Sequence, residues 1–333
     1  MRCPGRSCWW LPVCLLAGLA AAQSPRDELP ADLFSRRVPF GLPTPTHGHL
    51  PSEELQRRFA LGRRLFFDPI LSADRKVACA NCHDPKHGFS SPQRLPIGVH
   101  GRKALRNAPT LLNRAFGKSQ SWDGSSPTLV HQVTRPIENA NEMDLPLGRA
   151  LARLRKSEVY NRGFREAYAE GVTGKQLADA LSTFVSRLYL GNSPVDRFRA
   201  GARTALTVAE RGGMWIWESK GRCWKCHSGP NFSDERFHNT GVGSVGGVPE
   251  PGRMQVTGRE QDRGRFKTPT LRGLVQTRPY MHDGSLSTLT EVVEFYRRGG
   301  RQNQNLDKRI APVELSDQDV ANLVAFLKAL SRE

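Results

Sequence analysis

Long apolar runs are nearly absent from this chain. After the stretch Leu11 to Ala22, nothing approaches the roughly 18 consecutive apolar residues of a membrane helix, so no membrane insertion is expected. Acidic residues are also short: 32 Asp and Glu against 49 Lys and Arg give a formal net charge of +17, which favours acidic partners. The sequence has no nucleic-acid recognition motif to accompany that charge, so nucleic acid is not the expected partner. Period-two alternation is scarce, which argues against a sheet-based fold. Cysteines number seven, and Cys3, Cys8 and Cys14 all fall near the N-terminus, where no lipid-attachment pattern precedes Cys14.

That N-terminal segment reads as a secretory signal. Arg2 and Arg6 precede the apolar stretch, and Ala20-Ala21-Ala22 meets the small-residue rule for cleavage. A signal peptide over residues 1–22 predicts an exported, periplasmic protein beginning at Gln23. Without Arg2 and Arg6 its formal charge is +15. Its four remaining cysteines are all in two motifs, which leaves none for a disulfide.

Those motifs are Cys79-Ala80-Asn81-Cys82-His83 and Cys223-Trp224-Lys225-Cys226-His227. Each is a complete attachment site for c-type haem: two thiols separated by two residues reach both vinyl groups of one porphyrin, and the adjacent His falls over the iron. A zinc ribbon spaces its cysteine pairs by about 15–20 residues, whereas Cys79 and Cys223 stand 144 positions apart. A thioredoxin-like dithiol needs one pair and no following His. Two covalently attached c-type haems are expected, with His83 and His227 as iron ligands.

The rest of the chain reads as mainly helical. Pro30 to Pro51 is rich in Pro, Gly and Thr and looks irregular. Ser52 with Glu53 and Glu54 opens a helix bearing Leu55, Phe59 and Phe66. Leu177, Leu181, Phe184, Val185 and Leu188 mark another, ended by Gly191. Thr207 and Glu210 form a capping box, and Val208, Met214 and Trp215 then lead into the second pentad. Thr288 and Glu291 cap a helix carrying Leu289, Val292, Val293 and Tyr296 before Gly299-Gly300, and Ser316 opens the last helix, with Val320, Leu323, Val324 and Leu327. The Phe-Ser pairs Phe89-Ser90 and Phe232-Ser233 follow their pentads at nearly equal distances, which suggests a duplicated domain. The expected fold class is all-α, with two cytochrome c-like domains, each built around one haem. After an irregular 23–51 segment, the expected domains are 52–195 and 196–333.

Several further segments, Leu105-Arg106-Asn107-Ala108-Pro109-Thr110, Trp122-Asp123-Gly124, Gln132, Pro136 to Asn139, Glu142-Met143, Phe266 to Arg272 and Pro279 to Gly284, resemble in order and spacing the bacterial di-haem cytochrome c peroxidase family. The similarity spans about residues 53 to 330. It implies a peroxide-reacting haem in the first domain and an electron-transferring haem in the second. Trp122 would lie between the haems, and Gln132 and Glu142 would line the open side of the first. A carboxylate there can take a proton from peroxide and return it to the departing oxygen. On residue type alone, a Trp is commonly core and a Glu commonly surface.

At the position that the family pattern gives to the second haem's sixth ligand this sequence has Tyr296, which resembles the MauG-like branch, whose members oxidise residues of a partner protein. An oxygen donor there favours higher iron oxidation states, whereas Met raises the potential. Tyr296 also suits simple packing on its apolar helix face, and Met281 is the substitute ligand. His100 lies near a His that blocks the first haem in ordinary family peroxidases, one residue out of register, and a loop His is usually exposed. His282 is expected to support the second haem's surroundings rather than to bind iron. The resemblance also implies a calcium ion on the Asn107 side chain and the Thr277 and Pro279 carbonyls. The expected activity is hydrogen peroxide reduction, with electrons from a small c-type cytochrome or cupredoxin. The alternatives are oxidation of an acidic protein substrate and a non-enzymatic di-haem electron carrier, which would need no acid-base pocket.

Overall fold

The computed structural model describes residues 37–44 and 52–331. The predicted signal peptide and most of the 23–51 segment lie outside the described residues. The chain is helical, and its only strands among the described residues are the antiparallel pairs Phe237–His238 and Phe266–Lys267. The longer helices are α1 (Glu53–Phe67), α2 (Leu147–Lys156), α3 (Glu158–Ala167), α4 (Gly174–Val185), α5 (Val208–Glu218), α6 (Leu289–Arg297) and α7 (Asp317–Ala329).

Side chains cap most of these helices. Ser52 Oγ accepts from Leu55 N, and full capping boxes open α5 (Thr207, Glu210), α6 (Thr288, Glu291) and α7 (Ser316, Asp319). Two separate apolar cores result. One gathers buried residues from Phe59 to Leu188, the other from Val195 to Leu330.

The cores are built alike. In the first, α1 packs on α4, and in the second α5 packs on α7. Each pair meets at a glycine. A Cβ on Gly62 would lie 1.9 Å from Ala180 O, and one on Gly213 would lie 1.9 Å from Asn322 O, so only glycine lets the backbones approach this closely. Four residues beyond each contact lies an aromatic group: Phe66 with Phe184 (5.0 Å) and Phe89 (6.2 Å), and Trp217 with Phe326 (5.7 Å) and Phe232 (5.7 Å). Phe89 and Phe232 are the residues of the two Phe-Ser pairs, and both have backbone in the left-handed region (φ 55° and 49°).

One expectation needs correction. The fourth helix ends at Val185, not at Gly191. Beyond it the Asn113 side chain donates to Leu190 O (2.9 Å) and accepts from Leu190 N (2.9 Å), which draws the chain off the helical path. Gly191 instead makes room for the N-terminal segment, since a Cβ there would meet Phe40 O at 2.9 Å. On α5, Val208 and Trp215 are exposed. The helix buries Gly213, Ile216 and Trp217.

Candidate functional site

Both pentads open into one continuous cavity of about 1110 Å³ with mainly apolar walls. The two histidines are held identically. His83 Nδ1 faces Phe89 O at 3.1 Å, and His227 Nδ1 faces Phe232 O at 3.0 Å. An Nδ1–H bound to a carbonyl leaves the Nε2 lone pair free for a metal. Burial lowers the pKa of both rings, which keeps them neutral, the form a ligand needs. The left-handed backbone at two bulky residues is uncommon, and here it turns each carbonyl toward its imidazole.

Among the described residues the four pentad cysteines form no disulfide. Burial pushes the thiols of Cys79 and Cys223 up to about 12 and that of Cys82 to about 11, unlike the low values of reactive dithiols. Paired thiols, a neutral imidazole and an apolar chamber fit the chemistry of a haem in each half.

Trp122, Gln132 and Glu142 all line the cavity, and the Glu142 carboxyl acts on the Cys79 and Cys82 thiols of the first pentad. Gln132 ends the helical turn Leu129–Gln132, opened by the Thr128 cap. Burial raises the Glu142 carboxyl pKa, and an Asn139 hydrogen bond and the Arg135 charge oppose that shift. Trp122 occupies the seam between the halves. Its Nε1–H donates to Asn107 O (2.8 Å), its carbonyl accepts from Lys267 N (2.7 Å), and its ring meets His282 edge-on at 6.2 Å. His282 stacks on Phe266 (3.7 Å) and bonds Glu250 through Nε2 (2.5 Å).

Tyr296 lines the same cavity near the second pentad, its phenol pKa pushed up by burial and then by Cys226 and Cys223. Met281 lines it too. His100 does not: it is exposed in the tight turn Val99–Gly101, outside the cavity lining. Asn107, Thr277 and Pro279 converge on the cavity, and the buried Asn107 amide donates to Gln93 O (2.9 Å).

Sequence reasoning missed a second sign of duplication. Ser121-Trp122-Asp123-Gly124-Ser125 and Met281-His282-Asp283-Gly284-Ser285 form the same turn, with Asp123 and Asp283 each accepting from the Ser two residues on. Trp122 and His282 are therefore equivalent positions. Also missed was the buried interdomain cluster in which Arg114 Nη1 donates to Glu235 Oε1 (3.0 Å) beside Lys267 (3.6 Å), whose ammonium burial and Arg114 push down to about 7.

A family model for "Cytochrome c" matches residues 218–331, and one for "Di-haem cytochrome c peroxidase" matches residues 56–204. The "Methylamine utilization protein MauG" of Methylorubrum extorquens is 34% identical over 96% of this chain and 90% of its own length. The chain belongs to the di-haem cytochrome c peroxidase family. Another family member, "Cytochrome-c peroxidase IdrP2" of Denitromonas iodatirespirans, is 34% identical over 96% of this chain and 89% of its own. Within the family the fold is shared closely with a crystal structure described as a "MauG-like protein associated with microbial copper homeostasis", with TM-score 0.78, 30% identity, and 92% of this chain and 95% of that chain covered. This protein is thus a haem-dependent oxidoreductase with two cytochrome c-type haem sites, and among the described residues no helix is long and apolar enough to cross a membrane.

Proposed function

We propose that the protein is a periplasmic peroxidase that reacts with hydrogen peroxide at the first pentad and receives electrons through the second. The observation that carries this is the asymmetry of one cavity. Glu142 and Gln132 flank the first pentad, while the turn equivalent to Ser121-Trp122 carries Met281-His282. A pure electron carrier has no use for that acid-base pair.

In this reading the Cys79 and Cys82 thiols, and those of Cys223 and Cys226, form thioethers to two haems, with His83 and His227 as iron ligands. When bound, the haem iron supplies the electrons and the electrophilic centre that weaken the O–O bond. The chain supplies the rest. The Glu142 carboxylate accepts a proton from one peroxide oxygen and returns it to the departing one, and Gln132 orients the molecule by hydrogen bonding. Trp122 lies on the route between the two sites. The domain limits 52–195 and 196–333, and a calcium ion held by Asn107, Thr277 and Pro279, belong to the same proposal.

Two electron sources fit the basic charge: a small c-type cytochrome or cupredoxin, and an acidic protein substrate whose own residues are oxidised, as the MauG name of a relative raises. Tyr296 is the observation that favours the second. It projects from α6 into the second site, where burial raises its phenol pKa and where its oxygen would be offered to a haem held by Cys223, Cys226 and His227.

The test begins with the denatured, reduced protein in alkaline pyridine, which should report two c-type haems per chain. The native protein should then consume peroxide with an added reductant. One haem per chain, or no peroxide consumption, would overturn the proposal.

A further inference from the structure

Neither Glu142 nor Gln132 sets its own orientation. The loop bearing Glu142 is folded around Asn139, whose carbonyl accepts from Glu142 N and Asp144 N (3.0 Å each) and whose Oδ1 accepts from Asn141 N (3.0 Å). Its Nδ2 then donates to Glu142 Oε1 at 2.6 Å. Behind the loop, Val99 N donates to Glu142 O (2.8 Å), and Arg102 Nη1 bridges Ala140 O and Asp144 Oδ2 (2.8 Å each). Gly98 leaves no space for slippage, since a Cβ there would lie 2.2 Å from Asn141 O. Across the pocket, Ser121 Oγ donates to Gln132 Oε1 at 2.8 Å.

We propose that Asn139 and Ser121 are positioning residues that give the peroxide pocket a fixed hydrogen-bonding polarity. With Oε1 occupied by Asn139, Glu142 Oε2 is the oxygen presented as proton acceptor. With Oε1 engaged by Ser121, the Gln132 amide presents its Nε2 donors. A pocket with an acceptor on one side and a donor on the other fits a neutral hydroperoxide, in which one oxygen carries a proton to give and the other lone pairs to receive. It disfavours anions, which meet the Glu142 carboxylate. The groups facing that carboxylate are Asn139 on its own loop, Arg135 on the preceding helical turn and the Cys79 and Cys82 side chains of the pentad. The Arg102–Asp144 pair lies behind.

This inference rests on the assignment of Glu142 and Gln132 to the peroxide site, so the test separates the two. The holoprotein is mixed with peroxide across pH in wild type, Glu142→Gln, Asn139→Asp and Asn139→Ala. Fluoride, which can only accept hydrogen bonds, is titrated by haem absorbance in wild type, Ser121→Ala and Ser121→Thr. Asn139→Asp keeps the shape and the acceptor for Asn141 N–H but removes the donor to Glu142. The pH limb of the peroxide reaction should therefore move upward in both Asn139 variants, with a loss of about tenfold at a pH just above the wild-type limb, as expected for one charge-assisted hydrogen bond. Ser121→Ala should leave the limb in place but weaken fluoride binding about fivefold, the scale of one neutral hydrogen bond, and Ser121→Thr should restore it.

A limb abolished by Glu142→Gln yet unmoved in an Asn139 variant that retains both haem spectra would overturn the role of Asn139. Unchanged fluoride affinity in Ser121→Ala would overturn that of Ser121. A limb that survives Glu142→Gln would refute the earlier assignment of the base and this inference with it. If one Asn139 variant fails to accumulate as holoprotein, the other reads the same limb.

Discussion

Replacing Gly213 with alanine should loosen the second half of the molecule while sparing the first. The new methyl would lie 1.9 Å from Asn322 O and 2.7 Å from Phe326 Cβ, about 1.5 Å short of ordinary contact with the carbonyl. A backbone oxygen within α7 cannot rotate aside, so the two helices must separate. Alanine is the better helix former by about 1 kcal/mol. Overpacking in a dense core costs about 1–3 kcal/mol and sometimes more, and a carbonyl contact this short belongs at or above the upper end. The net expectation is a destabilisation of about 2 kcal/mol, which for a unit of this size lowers Tm by about 4–8 °C. The strain also has a route to the second site, because Phe326 touches Phe232 (6.5 Å between ring centroids), whose carbonyl accepts from His227. Thermal unfolding followed separately at each haem's absorbance should show the second signal lost first in Gly213→Ala and the first signal lost first in Gly62→Ala. A raised or unchanged Tm in either variant would mean that helix propensity outweighs packing at these crossings, and the account of the paired glycines would be wrong.

Tyr296→Met should raise the second haem's potential and give a sulfur-ligated spectrum, and unchanged spectra in both Tyr296→Met and Tyr296→Phe would move the sixth-ligand assignment to Met281. Glu235→Gln leaves the Arg114 guanidinium buried without its carboxylate, so chemical denaturation should show a loss of about 3–5 kcal/mol, and a loss below about 1 kcal/mol would place water at the seam. Trp122→Phe should slow electron transfer between the sites in rapid-mixing experiments while leaving the initial reaction with peroxide within a few-fold of wild type.

Much of the fold was legible because its signals are local. A capping Ser or Thr needs only the next three residues, and the openings of α1, α5, α6 and α7 all stand where Ser52, Thr207, Thr288 and Ser316 predict them. The pentads are equally local. What the sequence hid depends on partners far along the chain. Gly191 reads as a helix stop, but its neighbour is Phe40. The face of α5 that turns inward, with Ile216 and Trp217, is set by the glycine crossing at Gly213 against α7, a partner more than a hundred positions on. The Arg114–Glu235 pair joins residues 121 positions apart, and no spacing rule connects them. The contacts of Asn139 and Ser121 could not be read from the sequence, because polar loop residues carry meaning only once their partners are placed. The Trp122-Asp123-Gly124 and His282-Asp283-Gly284 turns could have been found by a direct search for internal repeats.

The proposed peroxide chemistry turns on proton transfer by Glu142. Stopped-flow mixing of hydrogen peroxide with the two-haem protein, wild type against Glu142→Gln, tests it most directly. The second-order rate should fall about 10²–10⁴-fold, with both haems still attached and the pH limb gone. A rate within a few-fold of wild type, on that same scale, would contradict it.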